Sequence, residues 1–350
     1  MLCKDLFFAP AAPPPRHYLR AGNAGKSHIE YRQPHIMQKD YTPFANRLKK
    51  MAKHYGKWAR RKEIEVYRIY DADLDEFPIL VDRYAEQVYV SLYHRRGEVW
   101  TDDDYQDRKL AYRDVITEVL GVGRDNVFFK LRKRQRGTDQ YEKLSIAKRE
   151  FTVVENGLGF IVNLTDYLDT GLYADHRDTR MMVAQRAAGK RVLHLFSYTC
   201  SFGLYAAAAE AFRVDSLDVS NTYLEWGKRN FELNEIDATK HRFIRTDILE
   251  WLRDPKLTKY DVIVITPPTF SNSKMMKEPF DLQADHLKLI NNCTPKLNSG
   301  GSILFMTNAR KFKFDESNVM GASSVKEITK QTLPQDFRKK NLHRCWELMV

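Results

Sequence analysis

Apolar and polar positions follow two regimes along this chain. Over 44–62, apolar side chains recur at three- and four-residue steps (Phe44, Leu48, Met51, Tyr55, Trp58), which predicts a helix with one apolar stripe and a basic outer face. Strand-like segments at 65–70, 79–84, 88–93 and 127–131 follow, with a helix over 105–120 between them. Beyond residue 190 the pattern becomes short continuous apolar runs at 191–196, 217–219, 243–247, 260–265 and 301–307, separated by helical stretches such as the alanine-rich 204–212. Unbroken β-branched runs of this kind predict strands covered on both faces, as in a parallel sheet with helices on either side. Their alternation with helices predicts a doubly wound α/β sheet.

The ends of these strands carry the chemistry. Tyr260 to Ile265 runs into Thr266-Pro267-Pro268-Thr269-Phe270, where two prolines fix φ, remove two amide donors and stop the strand. Ligands of open α/β sheets sit at the carboxyl ends of strands, so this tip is a working surface, with Phe270 available to stack on a flat ring. After the 191–196 strand comes the turn Ser197-Tyr198-Thr199-Cys200-Ser201 and then a helix, which presents amide N–H groups and the positive end of the dipole to a cofactor. Asp218 ends the next strand about 20 residues further on, the separation at which an acidic side chain takes ribose hydroxyls. The G-x-G-x-x-G pattern of nicotinamide enzymes is absent. No cysteine follows Pro267-Pro268, so the tip offers no thiolate that could add to a ring.

Charge narrows the partner. The 350 residues carry a formal net charge of +11, favouring a polyanion. Arg47, Lys50, Lys57, Arg60 and Arg61 crowd the first helix, and Arg132, Lys133, Arg134 and Arg136 cluster near Tyr141, an arrangement suited to structured RNA. Cys3, Cys200, Cys293 and Cys345 show no paired spacing, so neither a disulfide framework nor a metal site is expected, and a reducing cytoplasm fits. No apolar run approaches the ~20 residues of a membrane span. Residues 1–43 show no helical or strand period and read as a disordered or mis-started extension.

Several motifs together resemble one family. They are Gly56-Lys57-Trp58-Ala59-Arg60-Arg61, Asn163-Leu164-Thr165-Asp166-Tyr167-Leu168-Asp169-Thr170-Gly171-Leu172, Asp175-His176-Arg177, Thr222-Tyr223-Leu224-Glu225-Trp226 and Pro267-Pro268-Thr269-Phe270-Ser271-Asn272-Ser273-Lys274. From residue 44 onward the chain resembles the RlmK-type guanine-N7 methyltransferases of bacterial 23S rRNA, which use S-adenosylmethionine. The resemblance implies a small α+β RNA-binding domain at 44–165 and a Rossmann-like class I methyltransferase domain at 166–350. It implies S-adenosylmethionine on the 197–201 turn, Asp218 on ribose, Asp247 near adenine, and Asp175 and Arg177 along the cofactor cleft. Expected partners are 23S rRNA or a ribosomal precursor particle and a separate guanine-N2 methyltransferase. His176 reads as structural rather than as a base. Two positions depart from the family pattern: Cys200 stands where glycine is expected and Thr266 where aspartate is expected. A Cβ and sulfur at Cys200 would crowd the methionine end or strain the turn, and Thr266 lacks the charge that attracts a sulfonium. These departures raise the alternative of a catalytically silent RNA-binding relative that assists ribosome assembly.

Overall fold

The computed structural model describes residues 39–94, 98–132, 149–167, 169–254, 256, 258–338 and 342–350. The predicted amphipathic helix is α1 (Thr42–Arg61), with Pro43 in its first turn and Phe44, Leu48, Met51 and Tyr55 buried. Those side chains cover one face of a four-stranded sheet, β1 (Val66–Asp71), β2 (Ile79–Tyr84), β3 (Gln87–Tyr93) and β4 (Val127–Arg132), antiparallel except for the parallel pair β3–β4. Helix α2 (Asp102–Leu120) makes that last crossover. It starts in a reciprocal cap between Thr101 and Asp104 and stops at Gly121, whose φ of 63° suits a residue without Cβ.

A hairpin that the periodicity analysis did not assign comes next. Strands β5 (Glu150–Glu155) and β6 (Leu158–Asn163) join through Asn156-Gly157, both at positive φ, the backbone of a two-residue I′ turn. Glu155 at its end is fully buried and meets Arg180 at 2.6 Å and Arg177 at 3.2 Å, while Arg177 also reaches Asp336 at 2.9 Å. Removing one partner from such a buried set would leave an uncompensated charge.

The second half is the doubly wound sheet. Its elements are α3 (Arg177–Ala187), β7 (Arg191–Leu195), α4 (Ser201–Ala208), β8 (Arg213–Asp218), α5 (Asn221–Leu233), β9 (Arg242–Arg245), α6 (Ile248–Leu252) and β10 (Tyr260–Ile265). After them come β11 (Phe270–Ser271), β12 (Phe280–Asp281), α7 (Leu282–Cys293), β13 (Leu297–Thr307), β14 (Ser324–Glu327), α8 (Thr329–Thr332) and β15 (Arg344–Met349). The seven-stranded order is β14-β15-β13-β10-β7-β8-β9, with five neighbouring parallel strands and β15 inserted antiparallel between β13 and β14. Along β10, Ile263 and Ile265 enter the core under α6 and α7, whereas Val262 and Val264 enter the core under α3 and α4. That two-sided burial is why the run lacks a period of two.

Candidate functional site

Strand β7 has β8 on one side and β10 on the other, so the chain winds away from it in both directions. A crevice at the carboxyl ends is expected at such a switch point. A cavity lies there, with Asp218 and Tyr223 on the β8 side, Ser197 and Tyr198 at its floor, Thr266, Pro267, Pro268 and Thr269 on the β10 side, and Thr307 and Asn308 at the end of β13. Asp175, His176, Arg180, His194, Phe202 and Met276 are among the other residues of its walls.

The turn that leaves β7 has an unusual backbone. Phe196, Tyr198 and Cys200 all take positive φ, at 57°, 49° and 60°. Left-handed backbone costs about 1–2 kcal/mol per L-residue, and the surroundings hold it. Ser197 N–H donates to Leu217 O at 2.9 Å, Cys200 N–H to Ser197 O at 2.8 Å, and Tyr198 N–H to the Asp218 carboxylate at 2.9 Å. Thr266 Oγ1 donates to Phe196 O at 3.0 Å. Gly171 is gripped by the same turn: its N–H donates to Tyr198 Oη at 2.9 Å and its carbonyl accepts from Thr199 Oγ1 at 2.6 Å. A Cβ on Gly171, whose φ is 97°, would stand 2.4 Å from Trp226.

Cys200 corrects the expectation of crowding. Its side chain is fully buried and turns away from the cavity into the space beside Gly227, where an added Cβ would lie 2.4 Å from Cys200 Sγ. The strain half of the expectation stands in the positive φ; the ligand-side half does not. Burial pushes the Cys200 thiol up to about 12, so it is an inert packing group. Thr199 is likewise fully buried and faces Gly171 rather than the cavity.

Asp218 accepts from the amides of Tyr198 and Ser220, both at 2.9 Å, and burial raises its carboxyl to about 6. It lines the cavity with capacity for further donors. Asp175 lies opposite. Burial alone would raise its carboxyl, but the neighbouring His176 and the contact from His343 Nδ1 at 3.4 Å hold it well below the usual range. The ring of His176 stacks on His343 at 4.5 Å and lines the cavity, so its structural role places it at the ligand surface. Asp175, His176 and His343 bring their ligand atoms within 4.8 Å of one another. The other nitrogen of His343 meets Thr332 Oγ1 at 3.0 Å, and the group reads as a hydrogen-bonded wall.

Other expected site residues lie elsewhere. Arg177 is sealed in the ion network with Glu155 and Asp336 and does not reach the cavity. Asp247 is the N-cap of α6, accepting from Leu249 and Glu250 and also from Lys277 N–H at 3.0 Å, and it lies outside the cavity lining. Phe270 is 43% exposed on the β11–β12 hairpin, while Ser271 and Met276 take the wall position beyond the prolines. Arg47 pairs with Asp73 at 2.7 Å, and Arg132 reaches Asp169 and Tyr89, each at 3.3 Å, so both are held by contacts within the protein. Lys50, Lys57, Arg60 and Arg61 are exposed along α1. Lys133, Arg134 and Arg136, and most of the 1–43 extension, lie outside the described residues. His194 and Tyr173 line the cavity without any motif signal that would have singled them out, whereas Tyr223 stands in the 222–226 motif. Among the described residues no helix is long and apolar enough to cross a membrane.

The chain is similar to known proteins. The family model for S-adenosylmethionine-dependent methyltransferases matches residues 106–338. Ribosomal RNA large subunit methyltransferase K of Neisseria meningitidis is 45% identical over 311 residues, covering 88% of this chain and 87% of that protein. Ribosomal RNA large subunit methyltransferase K/L of Magnetococcus marinus is 45% identical over 309 residues, but this chain spans only 42% of its length. A methyltransferase solved in complex with S-adenosylhomocysteine superposes with a TM-score of 0.71 at 25% identity, covering 89% of this chain and 82% of that one.

Proposed function

Because this chain belongs to the S-adenosylmethionine-dependent methyltransferase family, with a large-subunit rRNA methyltransferase K among its relatives, we propose that it methylates guanine N7 in 23S rRNA. The observation that carries this reading is the shared cavity: Asp218 and the Pro267-Pro268-Thr269 tip face one space at the switch point of the sheet. The residues fit the cofactor. Asp218 offers a carboxylate to ribose hydroxyls, the turn leads into the N-terminus of α4, and Cys200 is absent from the cavity lining.

When bound, S-adenosylmethionine supplies an electrophilic methyl on a sulfonium, and guanine N7 meets it with an in-plane lone pair, so no proton leaves before attack. The protein's task is then orientation in a dry, shaped cavity. The β10 tip matches that task. Thr266 directs its hydroxyl at backbone carbonyls, Pro267 and Pro268 present apolar rings, and no ionisable side chain stands on the tip between Thr266 and Ser271. The exposed cations of α1 and the basic segment after β4 favour the RNA backbone through charge. On this reading the 44–165 segment is the RNA-holding domain.

The test is methyl transfer from labelled S-adenosylmethionine to unmodified 23S rRNA, followed by nucleoside analysis. Label in 7-methylguanosine supports the proposal. Label in another nucleoside refutes the N7 assignment, and cofactor-independent RNA binding without label supports the silent relative.

A further inference from the structure

Among the described residues, His194 is the one histidine with both ring nitrogens buried and without a hydrogen-bond partner. It is 1% exposed, is the next-to-last residue of β7, flanked by Val264 on β10 and Ser216 on β8, and packs edge-on against Phe202 at 5.3 Å. A buried polar group left unpaired costs about 1–3 kcal/mol, and such groups persist where a ligand completes them. His194 lines the same cavity as Asp218 and Asp175. Burial pushes its imidazole down to about 3, so at working pH the ring is neutral, with one N–H donor and one acceptor nitrogen.

The cavity also has a direction. It runs from Asp218 on β8 across β7 and β10 to Thr307 and Asn308 at the end of β13, three strand spacings or about 14 Å. With the ribose at Asp218 on β8, the rest of a bound S-adenosyl amino acid, including its amino-acid end, runs over β7 and β10 along a lining that includes His194 and Asp175. That end is a zwitterion. A neutral imidazole with one donor and one acceptor matches a carboxylate and an ammonium together, and the Asp175 carboxylate matches the ammonium.

We propose that His194 is a cofactor-binding residue that hydrogen-bonds the amino-acid end of S-adenosylmethionine, with Asp175 as its charged counterpart; this rests on the reading that the cavity takes that cofactor. The sharpest probe is a ligand pair that differs only there: S-adenosylhomocysteine, and 5′-methylthioadenosine, which keeps the nucleoside and lacks the amino-acid end. Titration calorimetry on the full chain should show His194→Leu binding S-adenosylhomocysteine about ten- to a hundredfold more weakly while 5′-methylthioadenosine changes less than twofold. His194→Asn, which keeps a donor and an acceptor, should recover most of the difference. The urea midpoint of His194→Leu should be no lower than that of the natural chain, because an apolar group replaces an unpartnered polar one. Equal losses for both ligands, or no loss for either, overturn the proposal. If the natural chain binds neither ligand, the cofactor reading itself fails and His194 falls with it.

Discussion

Gly227→Ala tests the account of the cofactor turn most closely. An alanine Cβ there would meet Cys200 Sγ at 2.4 Å, Cys200 Cβ at 2.8 Å and the Thr199 carbonyl carbon at 3.4 Å, so the turn must move. Gly227 lies inside α5, where alanine would otherwise gain about 1 kcal/mol in helix propensity. Overpacking costs about 1–3 kcal/mol, which leaves a net destabilisation of about 1 kcal/mol. Cys200→Gly removes the two closest atoms, and the nearest that remains, the Thr199 carbonyl carbon at 3.4 Å, is at ordinary contact distance. In that background Gly227→Ala should therefore stabilise, giving a coupling between the positions of about 2 kcal/mol. Urea unfolding of the natural chain, both single variants and the double variant measures it directly. S-adenosylhomocysteine affinity should fall in Gly227→Ala and recover in the double variant, because the displaced turn holds the Asp218 carboxylate in place through Tyr198 N–H. Identical effects of Gly227→Ala in the two backgrounds would refute the claim that Cys200 is accommodated by the absence of a side chain on α5.

Three further outcomes follow from the same geometry. Asp218→Ala should weaken S-adenosylhomocysteine binding about tenfold or more, and in the natural chain affinity should fall toward tenfold per pH unit below about 6 and level off above 7 as the raised carboxyl ionises. The same carboxyl opposes folding above about 6, where the folded state holds it ionised, and ceases to do so below the usual carboxylate range; a pH-independent affinity would remove Asp218 from the site. Thr266→Asp should weaken cofactor binding rather than strengthen it, since a carboxylate would face the carbonyl oxygens of Leu195 and Phe196 that the hydroxyl now serves; tighter binding in calorimetry would show that the charge, not the hydrogen bond, matters. Replacing Lys50, Lys57 and Arg61 on α1 with glutamate should weaken rRNA binding and flatten the log–log salt slope by about 2–3 while leaving S-adenosylhomocysteine affinity intact; an unchanged slope would make that face merely solvated.

The fold was legible because its signals are local and redundant: an apolar stripe at helical spacing in α1, and unbroken β-branched runs in β7 and β10. The β5–β6 hairpin was legible in principle through Asn156-Gly157 between two apolar runs, but its six-residue strands carry no clean alternation of apolar and polar positions. The site was only partly legible. Asp218 and the double proline stand at strand ends, where position alone implies function. Asp247 stands at a strand end as well, but the helix that starts right after it takes its carboxylate as a cap. Arg177 was misplaced because its partners Glu155 and Asp336 are distant in sequence, and nothing local announces a buried ion network. Positive φ at Phe196, Tyr198 and Cys200 could not be read from residues that seldom adopt it, and the space for Cys200 is made by a glycine on another helix.

The central claim is that this cavity directs a methyl group to guanine N7, and replacing that one atom tests it most directly. Transcripts of 23S rRNA made with 7-deazaguanosine keep the Watson–Crick edge of every guanine and lack the N7 lone pair. Incubated with the protein and labelled S-adenosylmethionine, the guanosine transcript should take up label and the 7-deaza transcript should take up none, with both competing for the protein at similar concentrations. Equal label in the two transcripts would contradict the account, because the methyl would then be going to an atom other than N7.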